Sequence, residues 1–268
     1  ALGLTAVQWR AFAARLPDYQ AYFTPTNILL LMGVLAVVKV LHELGHAMAC
    51  DRFGAECHEA GLMVIGVAPV MYCDVTDAWS LPSRVQRAVV SAAGIYVELI
   101  VSVLCGYLWL GVGPGALQDL LFRVAAVCSA STLAFNLNPL LRLDGYYVLS
   151  DLGEIPNLHE RSRRVAWGSV LRWLTRGQVA PRSAEPCAFR LAAFAVASTV
   201  YQAFVAAVIG WIAWRFFDDR GAPAIGATIA ILTIAASCAG VLRFSWQLVR
   251  SSRFRRSFSQ LRAALLVS

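Results

Sequence analysis

Long apolar runs, separated by short polar stretches, make up most of the chain. A helix needs about 20 mostly apolar residues to cross a bilayer, and five runs reach that length. The last two are apolar on every face, which is expected of helices surrounded by lipid rather than of amphipathic helices on a soluble core. The pattern predicts five transmembrane helices, over residues 27–50, 88–112, 124–141, 191–214 and 222–242.

A sixth apolar run, residues 61–73, is too short to span a bilayer. Its glycines and Pro69 disfavour a helix, and its valine and isoleucine favour extended backbone. Such backbone survives at membrane depth only where protein or a water-filled cavity satisfies its polar groups. We predict a short re-entrant β-hairpin, and the fold class is therefore an all-α polytopic membrane protein with one small hairpin.

Composition supports the membrane interpretation. Of the 268 residues, 59% are hydrophobic and 15% are charged, whereas soluble domains are about half apolar and a quarter charged. The mean hydropathy is +0.62. These values exclude a disordered or collagen-like chain and argue against an ordinary soluble enzyme.

The net charge of +7 comes from 22 arginines and a single lysine, Lys39. Seven arginines fall within residues 142–187, and six lie from residue 243 onward, where there is no acidic residue. Five alternating spans place both stretches on one side, which the positive-inside rule assigns to the cytoplasm. The basic charge is thus explained by topology, and no nucleic-acid partner is expected.

The chain divides into a membrane core and flanking segments. The segment after the core contains residues 159–175, which are predicted to form an amphipathic helix lying on the anionic inner leaflet. The predicted segments are an N-terminal flank with an interfacial helix (1–24), a catalytic three-helix membrane core (25–150), a cytoplasmic amphipathic segment (151–187), two additional transmembrane helices (188–250) and a basic cytoplasmic tail (251–268).

The first span carries an H-E-x-x-H motif formed by His42, Glu43 and His46. Positions i and i+4 of a helix project from one face, so both imidazoles can hold one zinc ion with the glutamate beside the metal-bound water. Ionisable residues inside a membrane span are costly and usually functional. The motif therefore predicts a metal site near the inner end of this span.

A catalytic zinc site has three protein ligands and one open position, so a third ligand must come from elsewhere. Glu98 on the second span and Asp144 after the third are both candidates. Asp144 belongs to an N-x-x-P-x-x-x-x-D-G pattern that runs from Asn136 to Gly145. In this pattern Pro139 should disrupt the helix, and Gly145 permits a turn directly after the carboxylate.

The combination of H-E-x-x-H on one span and N-x-x-P-x-x-x-x-D-G on a later span resembles the site-2 protease family of intramembrane zinc metalloproteases. The resemblance covers residues 27–151. The surrounding residues, HELGHAMACDRFG and FNLNPLLRLDGYYVLSDLGEIPNL, are similar to a bacterial branch of peptide zinc metalloproteases associated with peptide maturation and export.

The resemblance implies that His42, His46 and Asp144 bind Zn²⁺, that Glu43 is the general base and that Asn136 contacts the substrate. It implies a site-2-protease-like core in which residues 61–73 pair with an extended, membrane-anchored or hydrophobic peptide. It also implies a bacterial inner (cytoplasmic) membrane location, and the arginine distribution places the active site towards the cytoplasm. No loop is large enough for a regulatory domain, so gating is expected to come from the membrane helices, from residues 151–187, from additional subunits or from chain portions outside this sequence.

The second span of the family often carries G-x-x-x-N. At the same spacing after Gly94 this chain has Glu98, so a carboxylate replaces the amide. Glu98 is interpreted as a second substrate contact or as a group that tunes the zinc-bound water, and the alternative is an ion pair with Lys39. Two other functions stay open. One is a non-proteolytic membrane transport or binding component that retains a zinc site, and the other is a different membrane zinc enzyme with Glu98 as third ligand.

Overall fold

The computed structural model describes residues 25–65, 68–174 and 187–250. The predicted N-terminal flank and basic tail lie outside these residues. The chain forms two compact units, residues 1–154 and 155–268, which are described separately below.

The elements of the first unit are, in chain order, α1 (Pro25–Arg52), β1 (Ala60–Ile65), β2 (Ala68–Cys73), a 3-10 helix (Thr76–Ser80), α2 (Arg84–Gly111), α3 (Ala116–Ser131) continued by a π-helical turn (Thr132–Asn136), and α4 (Asp144–Leu152). Helix α2 is the centre of this unit, because α1, α3 and α4 all pack against it. The hairpin strand β2 lies beside α1.

The hairpin predicted for residues 61–73 is confirmed as secondary structure. Strands β1 and β2 pair antiparallel, with a register that runs from Ala60 opposite Cys73 to Ile65 opposite Ala68. At its base, the Sγ atoms of Cys57 and Cys73 lie 3.0 Å apart. Its depth in a bilayer stays a prediction.

Four helices in the described part of the chain are long and apolar enough to cross a membrane, namely Leu29–Arg52, Arg84–Gly111, Ala116–Asn136 and Ala188–Asp218. The predicted limits of the third span, 124–141, were wrong at both ends. The helix begins directly after Gly115 and includes the charged residues Asp119 and Arg123. It ends at Asn136, before Pro139, since proline cannot continue its hydrogen-bond ladder.

The turn predicted after Asp144 was also wrong, because Asp144 is the first residue of helix α4. Gly145 is required for a different reason. A Cβ atom at Gly145 would lie 2.6 Å from the carbonyl oxygen of Leu137 and 2.8 Å from that of Asn136. Gly145 therefore lets α4 start directly against the end of the third span.

The second unit contains α5 (Leu158–Leu174), α6 (Ala188–Asp218) and α7 (Pro223–Arg250), with α5 and α7 both packed on α6. Helix α5 covers most of residues 159–175, where an amphipathic helix was predicted, and it buries Leu158 and Val165 and exposes Trp173. Its location on the inner leaflet stays a prediction. The apolar stretch found in α7 covers Pro223–Ser237, which is shorter than a span. The fifth transmembrane helix consequently stays a prediction.

Candidate metal centre

Helix α1 presents His42 and His46 from one face, as the i, i+4 spacing predicts. Both residues are buried, with 4% and 7% of their surface exposed. Their Nε2 atoms are 3.2 Å apart, and the rings meet edge to face. Two buried imidazoles that converge through the same ring nitrogen form one half of a metal-binding group.

Asp144 supplies the other half of this group. Its Oδ2 lies 3.0 Å from Nε2 of His42, and its Oδ1 lies 3.5 Å from Nε2 of His46. Among the described residues, Oδ2 is buried and has no aligned hydrogen-bond donor. His42, His46 and Asp144 thus form a group that could hold a metal ion.

The spacing within the group fits zinc. Zinc–ligand bonds of about 2.0–2.1 Å in tetrahedral geometry put neighbouring ligand atoms roughly 3.3 Å apart. The two Nε2 atoms are 3.2 Å apart, and they lie 3.0 and 3.5 Å from the two different oxygens of Asp144. With one ligand atom from each residue, the three atoms lie within 4.8 Å of one another, which is close enough to share one ion. Two nitrogens and a carboxylate are also a ligand set that zinc commonly takes at catalytic sites.

Electrostatics at Asp144 agree with a ligand role. Burial by itself would raise the pKa of this carboxyl, but the contacts with His42 and His46 outweigh burial and hold the pKa well below its usual range. A metal ligand must be deprotonated to bind, so the ionised form of Asp144 is the one that the site requires.

Gly94 on α2 leaves the space in which the two imidazoles meet. A Cβ atom at this position would lie within 2.5 Å of Nε2 of both His42 and His46. Any side chain here would occupy the point towards which the ligand atoms converge. In the sequence, Gly94 stands out only by its G-x-x-x-E spacing to Glu98, and the need for glycine follows from the structure.

Each imidazole also has an oxygen acceptor near its outer nitrogen, although Nδ1 of His42 is not aligned with its acceptor for a hydrogen bond. Nδ1 of His46 lies 2.8 Å from the backbone carbonyl oxygen of Val90, and Nδ1 of His42 lies 2.9 Å from Oε1 of Glu98. A ring whose Nδ1–H faces an acceptor keeps the lone pair of Nε2 free for a metal. Glu98 therefore lies on the far side of the His42 ring from the converging ligand atoms.

Glu98 is buried and receives donors from two other elements. Its Oε1 accepts from Nζ of Lys39 at 2.6 Å and from Nδ2 of Asn136 at 3.1 Å, while its Oε2 accepts from Oγ1 of Thr132 at 2.6 Å. The ion pair with Lys39, one interpretation of the sequence, is present. The part played by Thr132 had no signal in the sequence.

A cavity of about 370 Å³ opens beside the metal-binding group. Glu43, His46 and Asp144 line one part of it, and Trp79 and Arg87 line another. Asn136 and Glu98 are not among the described residues that line this cavity. The structure thus brings Glu43 to the same space as two of the three candidate ligands, His46 and Asp144, while substrate contact by Asn136 or Glu98 stays a prediction.

Fold and site together define a mostly helical protein whose described residues include four helices able to span a membrane and a largely buried group of two histidines and one aspartate suited to a metal. The chain is 30% identical over 111 residues to a Bacillus subtilis (strain 168) protein named "Putative peptide zinc metalloprotease protein YydH". The match covers 41% of this chain and 42% of that protein. No protein-family model matches the chain, and no solved structure does.

Proposed function

We propose that this protein is an intramembrane zinc metalloprotease of the site-2 protease type, which hydrolyses a peptide bond in or next to the membrane. The observation that carries the proposal is the grouping of His42, His46 and Asp144 beside a cavity that His46, Asp144 and Glu43 line. The similarity to a protein named as a peptide zinc metalloprotease supports the same class.

In this proposal His42, His46 and Asp144 hold the zinc ion. Zinc, when bound, lowers the pKa of a coordinated water and polarises the scissile carbonyl as a Lewis acid. Glu43 takes a proton from the attacking water as the new C–O bond forms, and passes it to the amide nitrogen as the C–N bond breaks. The proton therefore moves from water to the leaving amine through one carboxylate.

The substrate in this proposal is a membrane-anchored or hydrophobic peptide, processed for maturation or export. A helical substrate hides its backbone, so the peptide must unwind before cleavage and pair as a strand with the hairpin of β1 and β2. The proposed location is the bacterial inner membrane, with the site towards the cytoplasm. The apolar side chains exposed along the helices, such as Leu29 and Tyr96, support a lipid environment.

Glu43→Gln should abolish cleavage while leaving zinc bound, because the amide cannot accept the proton but none of the three ligands is altered. The measurement is zinc content of the purified protein, combined with comparative peptidomics of membranes that express wild type or variant. Some cleavage products should be found only in membranes with wild type. The rate of cleavage should be lower in Glu43→Gln by at least about a hundredfold.

Glu56→Gln is the matched control, because it makes the same chemical change at a glutamate whose side chain is 80% exposed. It should retain both zinc and cleavage. Normal proteolysis by Glu43→Gln would refute the mechanism. Bound zinc without any wild-type-dependent cleavage would favour the non-proteolytic transport or binding component.

A further inference from the structure

Glu98 is a buried carboxylate in an apolar helix, and the groups that contact it indicate its role. Its side chain is 0% exposed, in the middle of the second span. Burying a carboxylate is costly unless several donors compensate it. The positions of those donors therefore indicate the role of the carboxylate.

The four groups around Glu98 come from two elements that flank α2. Lys39 and His42 belong to α1, whereas Thr132 and Asn136 belong to the π-helical turn at the end of α3. The contacts from lysine, threonine and asparagine lie between 2.6 and 3.1 Å. Because Thr132 and Asn136 donate from a different element than the one that carries His42, Glu98 has little freedom to move relative to His42 even without the lysine.

The fourth group is Nδ1 of His42, which lies 2.9 Å from Oε1 of Glu98, within ion-pair distance but outside hydrogen-bond alignment. An ionised carboxylate only accepts hydrogen bonds, so this neighbour favours the ring form with hydrogen on Nδ1 and the lone pair on Nε2. Nε2 is the atom that faces Asp144 and His46. Rotation of the ring by half a turn would exchange the two edges and remove Nε2 from the group.

We infer that Glu98 is a positioning residue, which fixes the orientation and proton placement of His42 so that its Nε2 can bind the metal. The inference rests on the zinc site of the proposed function and assigns Glu98 neither to the metal nor to the substrate. Groups that hold a metal-ligating histidine from its outer nitrogen typically contribute 10–100-fold to metal affinity.

The rival explanation is that Glu98 serves only to neutralise Lys39. Two substitutions separate these roles. Glu98→Asp keeps the charge, and the flexible Lys39, 31% exposed, can follow it; the shorter side chain, however, no longer reaches His42. Glu98→Gln loses the charge but keeps an acceptor oxygen at the same length.

The experiment measures the zinc dissociation constant of the purified full chain by competition with a chromophoric chelator. We expect affinity to fall roughly tenfold in Glu98→Gln and roughly a hundredfold in Glu98→Asp, the two ends of the usual range. If Glu98 served only to neutralise Lys39, zinc affinity would instead fall more in Glu98→Gln than in Glu98→Asp. Lys39→Met, the matched control, should stay within about threefold of wild type.

Two further readouts separate positioning from folding. The melting temperature of the metal-free variants reports the structural contribution, and the visible spectrum of the cobalt-substituted proteins reports the ligand geometry. The cobalt bands should change in Glu98→Asp and stay unchanged in Lys39→Met. If Glu98→Asp does not fold, the zinc affinities of Glu98→Gln and Lys39→Met are enough to test the positioning role.

Asp144→Ala distinguishes failure of this inference from failure of the zinc site. If Asp144→Ala loses zinc while Glu98→Asp and Glu98→Gln bind it as wild type does, the positioning role is overturned and the zinc site stands. If wild type binds no zinc, or Asp144→Ala binds it as tightly as wild type, the zinc site and this inference both fall. A loss in Lys39→Met as large as in Glu98→Gln would also overturn the positioning role.

Discussion

Gly94 shows how little space separates α2 from the two imidazoles. Because its Cβ position lies within 2.5 Å of both Nε2 atoms, Gly94→Ala should displace the rings and weaken zinc binding by at least about tenfold, as loss of ligand orientation does elsewhere. Zinc content after dialysis, compared with wild type, measures the effect.

Gly106→Ala is the control for this substitution, since Gly106 lies on the same helix and a Cβ there would meet nothing within 4 Å. It should bind zinc as wild type does, with unchanged or slightly higher stability because alanine favours helix. Equal zinc affinity in the two alanine variants would contradict the close approach of α2 to the site.

Single residues also show which chemistry is readable from a sequence. The four-residue spacing of His42 and His46 is enough to put both on one helix face. The aspartate pattern made Asp144 a candidate for the third ligand beside Glu98, and the family resemblance favoured Asp144. The partner of His42 on its outer side is 56 residues away, so nothing near the motif marks it. The ambiguity over Glu98 in the sequence arose because a buried carboxylate has several uses, and only its neighbours distinguish them.

A buried carboxylate of helix α4, that of Asp151, contacts α2. Oδ2 of Asp151 accepts a hydrogen bond from Oγ of Ser91 at 2.8 Å, and the Arg87 guanidinium lies 4.0 Å from Oδ1. Burial raises the pKa of Asp151 above its usual range, although Ser91 and Arg87 act in the opposite direction. The ionised carboxylate is therefore less favourable in the folded protein than in the unfolded chain.

This raised pKa predicts a pH dependence of stability. The folded protein binds the proton of Asp151 more tightly, so this contribution is fully present below the unfolded value of about 3.9 and is lost as pH rises through the folded pKa. Asp151→Asn cannot titrate. Hence the melting temperature of wild type should fall relative to that of Asp151→Asn as pH rises from about 4 to 7.

Thermal unfolding of both proteins in one detergent across this range measures the difference. Asp219→Asn changes an exposed carboxylate after α6 and is the control. Its melting temperature should change with pH as that of wild type does. A melting temperature for wild type that rises relative to Asp151→Asn with increasing pH would contradict the effect of burial.

For the whole molecule, the arrangement of arginines predicts which side of the membrane each connection occupies. Cys187, which precedes α6, is exposed and belongs to an arginine-rich segment predicted to be cytoplasmic. The connection that begins at Asp219, after α6, should lie on the opposite side because α6 is long enough to cross.

A membrane-impermeant maleimide tests this topology with single-cysteine variants. A chain that keeps only Cys187 should react in inverted membrane vesicles and not in intact cells. A cysteine-free chain with Asp219→Cys should react in intact cells only. Labelling of both positions from the same side would show that α6 does not cross, and a full reversal would move the proposed active site to the other face.

The sequence by itself determined the elements and the chemistry that one element can hold. Continuous apolar length specifies membrane-spanning helices, and the histidine spacing specifies a shared face, because both depend on local geometry. The relative rotation of the helices is not encoded in this way, since lipid-facing and buried positions are equally apolar. Only the tertiary structure decided that Gly94 faces the imidazoles, that Asp144 begins a helix and that Glu98 lies behind His42. Those relations arise from packing between helices distant in sequence.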